Sequence, residues 1–140
     1  MAITQAMCSS FKEELLQGVH NFNTDTFKIA LYTDAATMSA ATTAYSTSDE
    51  VATGSGYTAG GNTLTGATVS LTGTTAYVDF SDTTWSTASI TARGALIYNS
   101  SKSNKAVAVL NFGSNKTSSS GDFTIQFPTN DASNAIVRIA

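Results

Sequence analysis

The sequence has few of the side chains that catalytic and metal sites use. Its 140 residues include one Cys, one His, one Trp and one Pro. A structural zinc site takes four Cys or His ligands and a catalytic zinc site usually takes three, whereas this chain offers only Cys8 and His20. A single Cys also excludes an intramolecular disulfide. We therefore predict no catalytic residues, no metal, no cofactor and no enzymatic activity.

The two candidate reactive residues are better explained as structural ones. Cys8 borders an apolar stripe, where a buried and inert thiol is more common than a nucleophile. His20 lies a dozen residues further along the chain, and no third group is evident that would orient it. We interpret His20 as a turn residue between two elements.

Charge is scarce as well. Charged residues make up 12% of the chain and the formal net charge is −3, whereas there are 23 Thr and 18 Ser. This composition lacks the basic surplus of a nucleic-acid-binding protein, so we expect no nucleic-acid partner. Neither an uninterrupted apolar run of membrane-spanning length nor a signal-peptide pattern is visible, and we expect no membrane partner and synthesis in a cytoplasm.

A short amphipathic helix is predicted over about residues 4–17. Met7, Phe11 and Leu15 recur at every fourth position and form one apolar stripe. Gly18 is placed to end the helix in a left-handed turn.

From residue 26 onward, apolar residues recur at every second position. Phe27, Ile29 and Leu31 alternate with Lys28 and other residues, which predicts a half-buried strand over residues 26–32. Residues 33–66 are rich in Ala, Thr, Ser and Gly and form a long excursion. Its predicted anchors are its few larger side chains: Tyr45, Val51, Tyr57 and Leu64.

The second half has the pattern of successive hairpins. The strand candidates are residues 67–71, 75–80, 89–99, 105–112, 123–127 and 136–139, and Trp85 lies between two of them. We predict a single domain over residues 1–140, mainly β, with the N-terminal helix preceding a β domain over about residues 26–140. Seven or eight strands would form an antiparallel β-sandwich or a small barrel.

Several segments together resemble a known family. They are TFKIALYT at 26–33, GYTAGG at 56–61, TWS at 84–86, ITARGALIYN at 90–99 and DASNAI at 131–136. The chain resembles, over nearly its whole length, small virion-associated structural proteins of tailed bacteriophages. By analogy with other small β-rich phage proteins, the resemblance implies a capsid decoration or cement protein. It would be made in the bacterial cytoplasm and would reside on the capsid surface of the virion.

The implied partners are the major capsid protein and neighbouring copies of the chain itself, as a homo-oligomer that is a dimer or a trimer. The helix and the excursion are the segments that we expect at these contacts. The candidate interface residues are Met7, Phe11, Leu15, Tyr45, Tyr57 and Trp85. For Trp85, core packing and an interface role are equally compatible with the sequence. Removal of residues 1–17 is expected to abolish assembly and to leave the β core folded.

An alternative function is a tail or vertex component, an adhesin that binds a glycan of the host surface. Such a site uses clustered aromatic rings with Asn or Asp nearby. Tyr45, Tyr57 and Trp85 are the candidate rings.

Overall fold

Residues 2–140, which this computed structural model describes, form ten strands and one helix, with 45% of the chain in strands and 6% in the helix. In chain order the elements are β1 Ala6–Met7, α1 Ser9–Leu16, β2 Phe27–Tyr32, β3 Asn62–Thr63, β4 Thr68–Thr72, β5 Thr75–Asp79, β6 Thr83–Ala88, β7 Thr91–Asn99, β8 Lys105–Thr117, β9 Gly121–Ile125 and β10 Val137–Ile139.

The strands form three antiparallel sheets. The largest has the order β1-β8-β7-β2-β3, the second β10-β5-β4, and the third pairs β6 with β9. No closed barrel is found among the described strands. The predicted fold class, mainly β and antiparallel with one short N-terminal helix, is confirmed.

The centre of the molecule is the β2–β7 pair, and both of its faces are covered. Phe27 stacks on Phe22 with ring centroids 4.4 Å apart on one face. Tyr98, which pairs with Lys28 and therefore faces the other way, stacks on Tyr45 at 4.6 Å. The expectation of a half-buried β2 was wrong, because the excursion after β2 folds back over the second face. Every β2 residue except Lys28 is buried.

The N-terminal segment differs from the predicted helix over 4–17. Helix α1 begins only at Ser9, because the preceding residues are extended and Met7 pairs with Ala108 of β8. The N–H of Cys8 donates to the carbonyl oxygen of Val107 at 2.9 Å. Met7, Phe11 and Leu15 therefore do not share one helical stripe. The end of the helix is as predicted, since Gly18 follows it with φ +72°.

This arrangement corrects the expected result of the N-terminal truncation. Ile3, Cys8 and Phe11 are buried in the hydrophobic core, and β1 is a strand of the large sheet. Removal of residues 1–17 would take away part of the β core itself.

Strand β8 is longer than the predicted 105–112 and reaches Thr117. Its pairing with β7 is interrupted between Gly94↔Asn111 and Ala92↔Lys116, so residues 112–115 bulge out. Gly113 lies in this bulge with φ +82°. Trp85 is also placed differently from the prediction, because it belongs to β6 and not to a connection between strands.

Gly61 lets the excursion return closely to the sheet, just before β3. Its φ is +77°, and a Cβ atom at this position would overlap the carbonyl oxygen of Ile29. Glycine is thus required at Gly61 for both backbone conformation and space.

Gly61→Ala is expected to destabilise the protein by about 3 kcal/mol or more, since a positive φ and a backbone overlap act together. Gly113→Ala is the matched control. Gly113 also has a positive φ, but a Cβ there would meet nothing within 4 Å, so only the conformational cost of about 1 kcal/mol remains. Urea unfolding measures the free energy of unfolding of both variants. Equal losses of stability would contradict the close approach of the backbone at Gly61.

Candidate functional site

Most of the predicted interface residues lie inside the molecule. Phe11, Tyr57 and Trp85 are buried, with exposed fractions of 0%, 2% and 4%. They therefore offer almost no surface to a partner. The other three are half-buried at the edge of the core: Met7, Leu15 and Tyr45. For Trp85, of the two open alternatives, the structure places the ring in the core.

One carboxylate joins several parts of the excursion over residues 33–66, in addition to backbone hydrogen bonds such as that from the Val51 N–H to the Leu31 carbonyl oxygen at 2.9 Å. Oε1 of Glu50 accepts a hydrogen bond from the Tyr45 hydroxyl at 2.7 Å. Oε2 accepts one from the Tyr57 hydroxyl at 2.6 Å and one from the N–H of Gly60 at 2.8 Å. Hydrogen bonds to an ionised acceptor are stronger than neutral ones. Glu50 thus joins three separate points of the excursion.

Tyrosine hydroxyls connect this cluster to the large sheet. The Tyr57 oxygen also accepts the N–H of Leu31 in β2, at 3.0 Å. Tyr98 of β7 donates to the carbonyl oxygen of Gly60 at 2.6 Å. Tyr32 of β2 donates to the carbonyl oxygen of Ser46 at 2.6 Å. The excursion is therefore fixed to both central strands. The sequence analysis identified Tyr45 and Tyr57 as anchors but missed Glu50.

The same surroundings keep the tyrosines protonated. Burial raises the pKa of Tyr98 to about 12, and the negative charge of Glu50 adds to the effect. For Tyr57 and Tyr45, burial again raises the pKa above its usual range, followed by the hydrogen bond to Glu50. The hydroxyls therefore remain donors at neutral pH.

His20 is buried in a second polar cluster. Its Nε2 lies 2.8 Å from Oε1 of Glu14, and Nδ2 of Asn99 lies 3.0 Å from its Nδ1. Oδ1 of Asn99 accepts the N–H of Ser101 at 3.0 Å, so the Asn99 amide presents its NH₂ group to both His20 and Asp25. Because Nδ1 then accepts, Nε2 carries the ring proton and donates to Glu14. His20 links the helix region to β7.

Cys8 is a buried thiol, as expected. It is 0% exposed, and burial, together with the nearby charge of Glu14, raises its pKa to about 11. The thiol is therefore protonated at neutral pH, and the thiolate that a Cys nucleophile needs is not formed.

A groove of about 510 Å³ lies between β8, β9 and the segment that precedes β10. Residues 122–128 line it without a gap, and so do residues 110–112. One face of a strand presents only alternate residues, so a groove lined by consecutive residues runs along the strand edge. Its apolar lining consists of Leu110, Phe112, Phe123, Ile125, Phe127, Pro128 and Ile136.

A second candidate surface is the apolar side of the β10-β5-β4 sheet. Val69 and Leu71 of β4 are 48% and 70% exposed, and Ile139 of β10 is 53% exposed. Leu71 pairs with Ala76 of β5 from one side and Ile139 pairs with it from the other, so the three residues lie in one row across the sheet. The sequence analysis did not single out these residues, although the alternation in β4 was a signal for them.

Glu50→Gln is expected to lower the free energy of unfolding by about 2–3 kcal/mol. A glutamine has one acceptor oxygen in place of two, so one of the donors, a tyrosine hydroxyl or the Gly60 N–H, loses its bond. Glu13→Gln is the control, because Glu13 is exposed and its carboxylate accepts a hydrogen bond from the Gln17 side chain alone. Urea unfolding at neutral pH compares them, and equal stabilities would refute the role given to Glu50.

Stability is also expected to fall in alkali. The folded protein holds its phenolic protons more tightly than the unfolded chain, in which the Tyr pKa is about 10. The tyrosine contribution is therefore complete below about pH 10 and is lost as pH rises from there through the Tyr98 pKa of about 12. Unfolding free energies between about pH 8 and pH 12 measure the slope. The slope should be shallower in Glu50→Gln, and an unchanged slope would contradict the coupling.

Among residues 2–140, no helix is long and apolar enough to span a membrane, and no group of three or more His, Cys, Asp or Glu side chains is placed to hold a metal ion. Comparisons with protein-family models, curated proteins and solved structures returned no match.

Proposed function

We propose that the protein is a structural component of a tailed-bacteriophage virion, a decoration or cement protein that binds and stabilises the outer surface of the major capsid lattice. The sequence segments that resemble small virion-associated proteins support this role. It demands a stable scaffold with surfaces that fit neighbouring subunits, and it demands no chemistry.

The groove beside β9 is the observation that carries the proposal. Strand β9 pairs only with β6, so its other edge has no strand partner among the described residues. Phe112 and Phe127, on the two sides of the groove, are half-buried and leave apolar surface open. An edge with free backbone groups beside apolar pockets suits an extended peptide segment, which adds to the edge as a strand. In this proposal an extended segment of the major capsid protein lies in the groove.

Low charge favours such contacts. Lys116 and Asp122 are the charged groups that line the groove, so few charges lose their hydration when a partner binds. Contacts of this kind repeated over a lattice also strengthen one another through avidity. A weak affinity for one capsid subunit is therefore compatible with stable decoration.

The copy number in the virion tests the role. Quantitative mass spectrometry of purified particles should give a ratio to the major capsid protein near one to one, or a simple fraction. A handful of copies would contradict decoration and favour the tail or vertex alternative, and absence from particles would refute a virion role.

Two surface variants test the groove. Thr124 lines the groove from the exposed face of β9, where its hydroxyl contacts that of Thr84. Thr124→Arg places a long charged side chain at this rim, and it is expected to weaken binding to particles that lack the protein by about tenfold or more. Leu16→Asp is the control, since Leu16 is 92% exposed at the end of α1. Sedimentation of added protein with particles measures binding. If only Leu16→Asp lost binding, the contact with the particle would lie at the helix and not at the groove.

Two of the three aromatic rings that were candidates for glycan binding lie in the core. Tyr57 and Trp85 are buried, and Tyr45 stacks on Tyr98. Binding of the isolated protein to bacterial-surface glycans on an array would nevertheless favour that alternative over capsid decoration.

A further inference from the structure

Strand β4 is an exposed edge strand without the usual protection. Four of its five residues are exposed, and its free edge has no partner among residues 2–140. Proteins protect such edges with charges, prolines, bulges or very short strands. The sequence of β4, Thr-Val-Ser-Leu-Thr, contains no charge and no proline, and its register with β5 is continuous.

The other described edges, apart from that of β9 beside the groove, carry such protection. Strands β1 and β3 have two residues each. Strand β10 has three residues with Arg138 at its centre. The pairing of β6 is irregular between Trp85 and Ala88. The contrast indicates that the edge of β4 is kept available for pairing.

The hairpin fixes which backbone groups of β4 are free. Strands β4 and β5 are joined by the two-residue turn Gly73 and Thr74, and Thr72 pairs with Thr75. A two-residue hairpin closes on a hydrogen-bonded pair, and such pairs alternate along the strand. Thr72 and Ser70 therefore bond to β5. Val69 and Leu71 point their N–H and C=O groups to the free edge.

The pattern of β4 is symmetric about Ser70. If a second copy of β4 lies antiparallel beside the first, with Ser70 opposite Ser70, then Val69 of each copy faces Leu71 of the other. These are the residues with free backbone groups, so four backbone hydrogen bonds form and no like charges meet. The apolar side chains of both copies also come together on one face. In this single register, self-pairing thus completes the free backbone hydrogen bonds, avoids contact between like charges and brings the apolar side chains together.

We propose that two copies of this chain associate through antiparallel pairing of their β4 strands about a two-fold axis at Ser70, which joins the two β10-β5-β4 sheets into one six-stranded sheet. A stable interface buries about 800 Å² per partner, more than one five-residue strand with its apolar neighbours supplies. The dimer is therefore weak in solution. The pairing does not depend on the virion role.

Opposite charges at Ser70 test the register. In the proposed dimer the two Ser70 side chains form a non-hydrogen-bonded pair, in which side chains approach most closely. Ser70→Lys and Ser70→Glu should each weaken self-association by about tenfold or more at low ionic strength, because like charges face each other. An equimolar mixture of the two should restore association, because Lys then faces Glu. Analytical ultracentrifugation measures all three samples, and circular dichroism verifies that each variant is folded.

Ser86→Lys and Ser86→Glu are the matched controls, on an exposed position of β6; they should leave self-association unchanged. A wild-type protein that stays monomeric at about 1 mM, or a Ser70 mixture that fails to associate, would overturn the proposal. Association that is insensitive to both Ser70 variants would also overturn it. None of these results affects the copy-number test of the virion role, so the two proposals can fail separately.

Discussion

The carboxylate of Glu50 is the interaction on which the arrangement of this protein depends most. Twenty-nine residues lie between the end of β2 and the start of β3, and few of them have large side chains. Backbone hydrogen bonds hold some of them, such as the bond from the Val51 N–H to the Leu31 carbonyl oxygen at 2.9 Å. Glu50 adds a side-chain fixed point by accepting from Tyr45, Tyr57 and the Gly60 N–H. The hydroxyl groups of the tyrosines then connect this segment to β2 and β7 by hydrogen bonds. The consequence is a central sheet pair that is covered on both faces although the covering segment is mostly Ala, Ser, Thr and Gly.

Local patterns predicted much of the fold, and long-range contacts account for the rest. The alternation in β2, the β4–β5 hairpin and the helix-ending Gly18 are properties of neighbouring residues, and they were predictable. The extended start of the chain was not, because Met7 is held by Ala108, about a hundred residues away. Glu50 was missed for the same reason, since its role exists only where the excursion meets the sheet. The burial of Phe11, Tyr57 and Trp85 shows that an aromatic residue in a polar sequence is a poor guide to surface contact.

The two candidate contact surfaces belong to different sheets and suit different partners. The groove beside β9 has a half-apolar lining with one lysine and one aspartate, and it lies along a strand edge that has no strand partner among the described residues, which suits an extended segment. The edge of β4 is neutral and symmetric about Ser70, which suits an identical strand. In the two proposals, the contact with the capsid lattice and the contact between copies lie on different sheets, so a substitution that removes one contact leaves the other surface intact.

The pairing of β1 with β8 has a consequence for the way the chain folds. Ala6 lies opposite Val109, so this pair closes a loop that contains most of the protein. Proteins dominated by such distant pairings fold in milliseconds to seconds, far more slowly than helical proteins of similar size. Ala6 and Met7 are synthesised about a hundred residues before their partners Val109 and Ala108, so this pairing forms only after β8 has been made.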